Sequence, residues 1–104
     1  MNPWRLFAVA GPESGKTIHL VKQIWIGRES ENDVCIPDGQ VSRCHAHIEP
    51  TDNGYQVTDM GSTNGTFIND KRIDQTAPLH IGDSITIGPA RFLVLADSTG
   101  NLGE

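Results

Sequence analysis

No window of this chain repeats apolar residues at i, i+3, i+4 and i+7 for long enough to build a helix. Short β-branched runs follow one another instead, each cut off by glycine, proline, asparagine or aspartate. That rhythm predicts strands at 4–10, 17–21, 24–26, 33–36, 45–49, 55–59, 66–68, 71–73, 84–87 and 91–96. The breaks carry turn chemistry: Asp52-Asn53-Gly54 and Asn69-Asp70 tolerate positive φ, and Gly88-Pro89 cannot continue a ladder. Many short strands at close spacing make a sandwich or a barrel, so the chain is expected to be all-β.

Two of these strands state which face is inside. Ile85 and Ile87 share a face with Thr86 opposite, and Tyr55 and Val57 alternate with Gln56 and Thr58. By contrast Phe92-Leu93-Val94-Leu95 is apolar on both faces, as suits a central or covered strand. With 104 residues the protein forms one domain that buries roughly two-thirds of its unfolded surface. Residues 1–96 are expected to be that domain, and the polar, glycine-rich 97–104 a tail or the start of a linker.

A formal net charge of −5 argues against nucleic acid and against an anionic membrane, both of which need a broad basic surface. It leaves room for one small basic pocket. No apolar stretch is long enough to cross a bilayer, and the start lacks the apolar run of a signal peptide. Cys35 and Cys44 are therefore expected to be free thiols, and the location cytoplasmic.

The segment from Ala10 to Thr17, Ala-Gly-Pro-Glu-Ser-Gly-Lys-Thr, matches a relaxed phosphate-loop pattern after a strand. Such a loop must run into a helix whose N–H groups hold the phosphates. Here it runs into Thr-Ile-His-Leu-Val, which is strand, so a bend between two strands is the expectation.

Three other residues offer chemistry that suits a phosphate beside a peptide. Arg28, after Gly27 at the end of Ile-Trp-Ile, offers a rigid donor fork that matches two phosphate oxygens; as a plain surface residue it would pair with Glu29, Glu31, Asp33 or Asp38. Ser42 offers a hydroxyl donor, and Arg43 beside it a second charge. Asn64, presented by the tight turn that Asn64-Gly65 favours, can bind a backbone carbonyl and a backbone N–H together, unless the pair only closes a hairpin. Ser42 and His45 could be read as a nucleophile and base, but neither an orienting acid nor an oxyanion loop accompanies them. His45 and His47 lie two apart on one strand face, a possible metal spacing, yet no Cys-x2-Cys or His-x3-His unit supports it. A structural histidine is expected, and no catalytic residue, metal or cofactor.

Together and in order, the phrases Ile26-Gly27-Arg28, Asn32-Asp33-Val34, Val41-Ser42-Arg43-x-His45-Ala46, Asp59-x-Gly61-Ser62-Thr63-Asn64-Gly65-Thr66-Phe67 and Gly82-Asp83-x-Ile85 resemble the forkhead-associated (FHA) domain family. The likeness runs from about Phe7 to Leu95. It implies an eleven-stranded, mainly antiparallel β-sandwich that docks onto phosphothreonine in a partner protein. By the same resemblance Arg28, Ser42 and Asn64 hold phosphate and peptide, Thr63 and Arg43 support them, and Gly27, His45 and Gly65 brace the loops. Partner choice would fall to residues around Thr63 and in 74–80. The alternative is a structural or assembly sandwich with no phosphate dependence. Oligomeric state, cis or trans binding, and any larger protein around this domain are left open by the residues.

Overall fold

A computed structural model describes residues 4–96; the expected tail at 97–104 lies outside them. In sequence order the strands are β1 (Trp4–Ala10), β2 (Thr17–Leu20), β3 (Ile24–Gly27), β4 (Val34–Cys35), β5 (Ala46–Pro50), β6 (Tyr55–Asp59), β7 (Phe67–Ile68), β8 (Lys71–Arg72), β9 (Thr76–Pro78), β10 (Ser84–Ile87) and β11 (Ala90–Ala96). They form two sheets, ordered β2-β1-β11-β10-β7-β8 and β4-β3-β5-β6-β9. The pairs are antiparallel except β3 with β4, which run parallel. All-β, in eleven strands, is the architecture.

Alternation decides what each sheet buries. Leu6, Ala8, Ile85, Ile87, Phe92 and Val94 point inward from the six-stranded sheet, and Ile26, Ala46, Ile48 and Val57 meet them from the other. Leu93 and Leu95 lie half-buried on the outer face of β11, which is the central strand that its doubly apolar sequence suggests. The Ile81-Gly82-Asp83 phrase serves the fold. Asp83 accepts from the His80 N–H at 2.8 Å and from Asn69 Nδ2 at 2.9 Å, fixing the turn into β10.

Three local differences from the sequence reading have physical causes. β9 is not among the expected strands, because Thr76-Ala77-Pro78 is short and carries a proline; it is tolerated as an edge strand against β6. The strand expected from residue 45 begins at Ala46; His45 lies at its mouth, where its N–H already bonds Ile26 O and its carbonyl accepts from Met60 N–H, both at 2.9 Å. Asn64-Gly65 does not close a hairpin: β6 and β7 belong to different sheets, so residues 60–66 cross between them. The phosphate-loop look-alike is the bend between β1 and β2, closed by Gly15 N–H to Ala8 O at 2.8 Å and Lys16 N–H to Glu13 O at 3.0 Å. No helix follows it.

Candidate functional site

At one end of the sandwich the loops 28–33, 36–45 and 60–66 meet. They meet because β3 stops at a glycine. A Cβ on Gly27 would collide with the Arg43 carbonyl oxygen, so only a bare Cα lets the 36–45 loop lie against the strand. Beyond it the backbone stays zipped to that loop, with Arg28 N–H on Ser42 O at 2.9 Å and Glu29 N–H on Arg43 O at 3.4 Å. Asn32 Nδ2 donates to Glu29 O and to Arg43 O, both at 2.8 Å, locking the two loops together.

These contacts aim Arg28. Its Nε donates to Val41 O at 3.0 Å, and its terminal nitrogens have no partner among the described residues. None of the neighbouring acids pairs with it at ion-pair distance. The guanidinium is thus oriented by backbone and left with its fork open.

The third loop is bound to the second in the same way. Ser42 Oγ accepts from Thr63 N–H at 3.1 Å, and Asn64 Nδ2 donates to Gln40 O at 2.9 Å. The fully buried His45 bridges underneath: Nδ1 accepts from Ser42 N–H at 3.1 Å, so Nε2 carries the hydrogen and donates to Gly65 O at 2.9 Å. Asp59 sets the 62–65 turn, accepting from Ser62 Oγ at 2.5 Å, Ser62 N–H at 3.0 Å and Thr66 Oγ1 at 2.8 Å. Burial pushes the Asp59 carboxyl up, but the Ser62 and Thr66 hydroxyls, the Ser62 N–H and the nearby His45 outweigh it and hold it below the ordinary carboxylate value.

The result is a cavity of about 280 Å³ whose lining includes Arg28, Val41, Ser42, Arg43, Thr63 and Asn64, with two guanidiniums and no acid. All five expected ligand-side residues line it. A second cavity, about 480 Å³, opens at the opposite end around Trp4, Tyr55, Leu79 and His80, and its lining holds no lysine or arginine. The smaller one suits a phosphate. The 74–80 segment divides between the two ends: Gln75 O accepts from Asp59 N–H, whereas Leu79 and His80 line the far cavity.

His45 and His47 do not converge on a metal. His47 Nε2 meets Gln23 Oε1 at 2.8 Å and its ring stacks on Trp25 at 3.8 Å between centroids. No cluster of metal-binding side chains occurs among the described residues. Sequence reasoning gives Asn32 and Asp59 no task, although both stand in the family phrases. The signal for them is chemical: a carboxamide can donate twice, and a carboxylate three residues before a serine suits a turn.

Two expected outcomes follow from this geometry. Asn64→Ala should weaken ligand binding while melting near the wild type, since its amide is exposed and makes one hydrogen bond. His45→Ala should cost on the order of 1–3 kcal/mol of stability and so lower the melting temperature, because it orphans two backbone groups. Parallel melts and binding curves decide this; the reverse pattern would exchange the roles.

Acid should also loosen the 62–65 turn. A carboxylate held below its ordinary 3.8 stabilises the fold above that value and loses the contribution as pH falls below it. Asp59→Asn should therefore melt lower than wild type at pH 7, and the gap should narrow as pH falls below 3.8. A gap that stayed constant from pH 7 to pH 3 would remove Asp59 as the cause.

The FHA domain profile matches residues 24–88 of this protein. Over 74 residues the sequence is 49% identical to an ABC transporter ATP-binding/permease protein of Mycobacterium tuberculosis, covering 71% of this chain and 8% of that protein. It is 37% identical over 86 residues to the glycogen accumulation regulator GarA of the same organism, covering 82% of this chain and 52% of the regulator. The sequence thus spans about half or less of these relatives. Among solved structures it superposes on Mycobacterium tuberculosis EmbR in complex with a low-affinity phosphopeptide, with a TM-score of 0.82 and 30% identity, over 91% of this chain and 24% of that one.

Proposed function

This chain belongs to the forkhead-associated domain family, and on that premise we propose that Arg28, Ser42 and Asn64 hold a phosphothreonine peptide for docking in signalling or assembly. FHA domains bind phosphothreonine peptides, and the domain here is a phosphopeptide-binding module. One observation carries the residue assignment: the open fork of Arg28, the Ser42 hydroxyl and the Asn64 carboxamide come from three loops onto one acid-free cavity. Arg43 adds charge at its edge, and Thr63 is exposed beside it.

Binding without catalysis is part of the same reading. His45 spends both ring nitrogens on backbone groups, and Ser42 Oγ is met by Thr63 N–H rather than by a base. No helix among the described residues is long and apolar enough to cross a membrane. A cytoplasmic setting, a protein partner rather than nucleic acid or lipid, and a domain confined to residues 1–96 complete the proposal. Its support is the net charge of −5 and the free thiols of Cys35 and Cys44.

The test is a fluorescence-anisotropy titration of phosphothreonine peptides, their unphosphorylated twins, and glutamate mimics. Binding should require the phosphate and should weaken from pH 7.5 to 5.5, as the dianion, whose second ionisation lies near pH 6, takes up a proton. Glutamate offers one charge and two oxygens, so its peptide should bind poorly throughout. A glutamate peptide as tight as the phosphopeptide at pH 7.5 would mean that the cavity reads generic negative charge.

A further inference from the structure

One cation beside the ligand loops is used neither by the fold nor by the phosphate cavity. Arg72 stands on β8, opposite Phe67 of β7, and its side chain folds back over the third loop. A Cβ on Gly65 would lie 2.6 Å from Arg72 Nε and 3.0 Å from Cζ. The guanidinium therefore rests on the residue after Asn64. Gly65 itself, at φ 93°, holds the positive φ that presents this loop.

Arg72 is exposed, and its guanidinium has neither an ion pair nor a hydrogen bond among the described residues. The acids nearest in sequence do not neutralise it. Asp70 pairs with Arg91 at 3.3 Å, and Asp74 makes no ion pair among the described residues. In a protein of net charge −5, an unpaired arginine beside a peptide-holding loop is available to a ligand. It is absent from the lining of the phosphate cavity, so its natural object is another group.

We infer that Arg72 is a specificity-determining residue that selects phosphothreonine peptides bearing a carboxylate a short way from the phosphorylated residue. The inference rests on the phosphopeptide reading of the site. Ser42 touches Thr63, and Arg72 covers Gly65, next to the Asn64 that lines the phosphate cavity. The selected carboxylate therefore lies within a few residues of the phosphothreonine, and the probes scan both sides of it.

The probes are phosphothreonine peptides of neutral sequence with aspartate placed singly at each of the nearest few positions to either side, with the neutral parent and unphosphorylated twins. They are titrated by anisotropy against wild type, Arg72→Gln, Arg72→Lys and Arg72→Glu, each checked by thermal melt. Aspartate on one side should tighten binding to wild type by roughly two- to fivefold, the range of an exposed ion pair, and less at high salt. That ratio should fall to about one in Arg72→Gln, survive in Arg72→Lys, and invert in Arg72→Glu, where the aspartate peptide should bind more weakly than the neutral parent. An aspartate preference that persists in Arg72→Gln overturns the assignment. So does an Arg72→Gln loss equal for acidic and neutral peptides, which would make Arg72 a phosphate contact. Phosphate-dependent binding without any aspartate preference refutes Arg72 alone, whereas no phosphate dependence at all refutes both readings.

Discussion

Arg28→Ala is expected to weaken phosphothreonine peptide binding by about 3 kcal/mol, roughly a hundredfold in Kd, the largest loss of any single side chain in the site. The size follows from two contributions. A charge-assisted fork to phosphate disappears, and the phosphate is left desolvated beside Ser42 and Arg43 without its principal counter-charge. Arg28→Lys should recover only part. An ammonium is a point charge that cannot match two oxygens, and it has no counterpart of Nε to bond Val41 O while its remaining donors face the ligand. Calorimetry with one phosphopeptide on all three proteins, alongside melts, separates binding from folding. Arg28 is exposed, so the melts should change little. An Arg28→Lys protein as tight as wild type would exclude a bidentate contact.

Gly27→Ala is the second large effect, and it is structural. The new methyl group would collide with Arg43 O and stand 2.7 Å from Asn32 Nδ2. The carbonyl cannot yield cheaply. Arg43 O is backbone held by Glu29 N–H and by Asn32 Nδ2. The 36–45 loop must lift, opening the contacts that aim Arg28. The expected loss is about 3 kcal/mol of stability, on the order of 15 °C in melting temperature, with phosphopeptide affinity falling in step. Gly39→Ala is the control: it lies in the same loop with nothing within 4 Å of the added carbon, and its melting temperature should hold or rise slightly. Gly27→Ala melting with the wild type would show that the loop gives way freely.

Much of this is legible in the residues. Alternation in β6 and β10 marks both strands at full length, because a sheet with one buried face writes period two directly into the sequence. The ligand-side residues are legible as a set, each being a donor type that phosphate or peptide requires. What is not legible is whatever depends on the partner across a gap. Asn64-Gly65 has the composition of a hairpin turn, and only the assignment of β6 and β7 to different sheets makes it a crossing loop. Asn32 and Asp59 look like ordinary turn residues until their hydrogen bonds to Arg43 and Ser62 are seen. The Ala10–Thr17 pattern shows the converse, since its phosphate-loop spelling is overruled by the strand that follows.

Sequence by itself determined the fold class and the chemistry of the site, because both follow from side-chain type and local periodicity. Tertiary structure alone decided which way that chemistry faces. Arg28 has an open fork because Val41 O, thirteen residues away, takes its Nε. Arg72 reaches the ligand loop because the β7–β8 hairpin folds it over a glycine that has no side chain to stop it. Such contacts join residues distant in sequence, and their energies depend on geometry that composition does not encode.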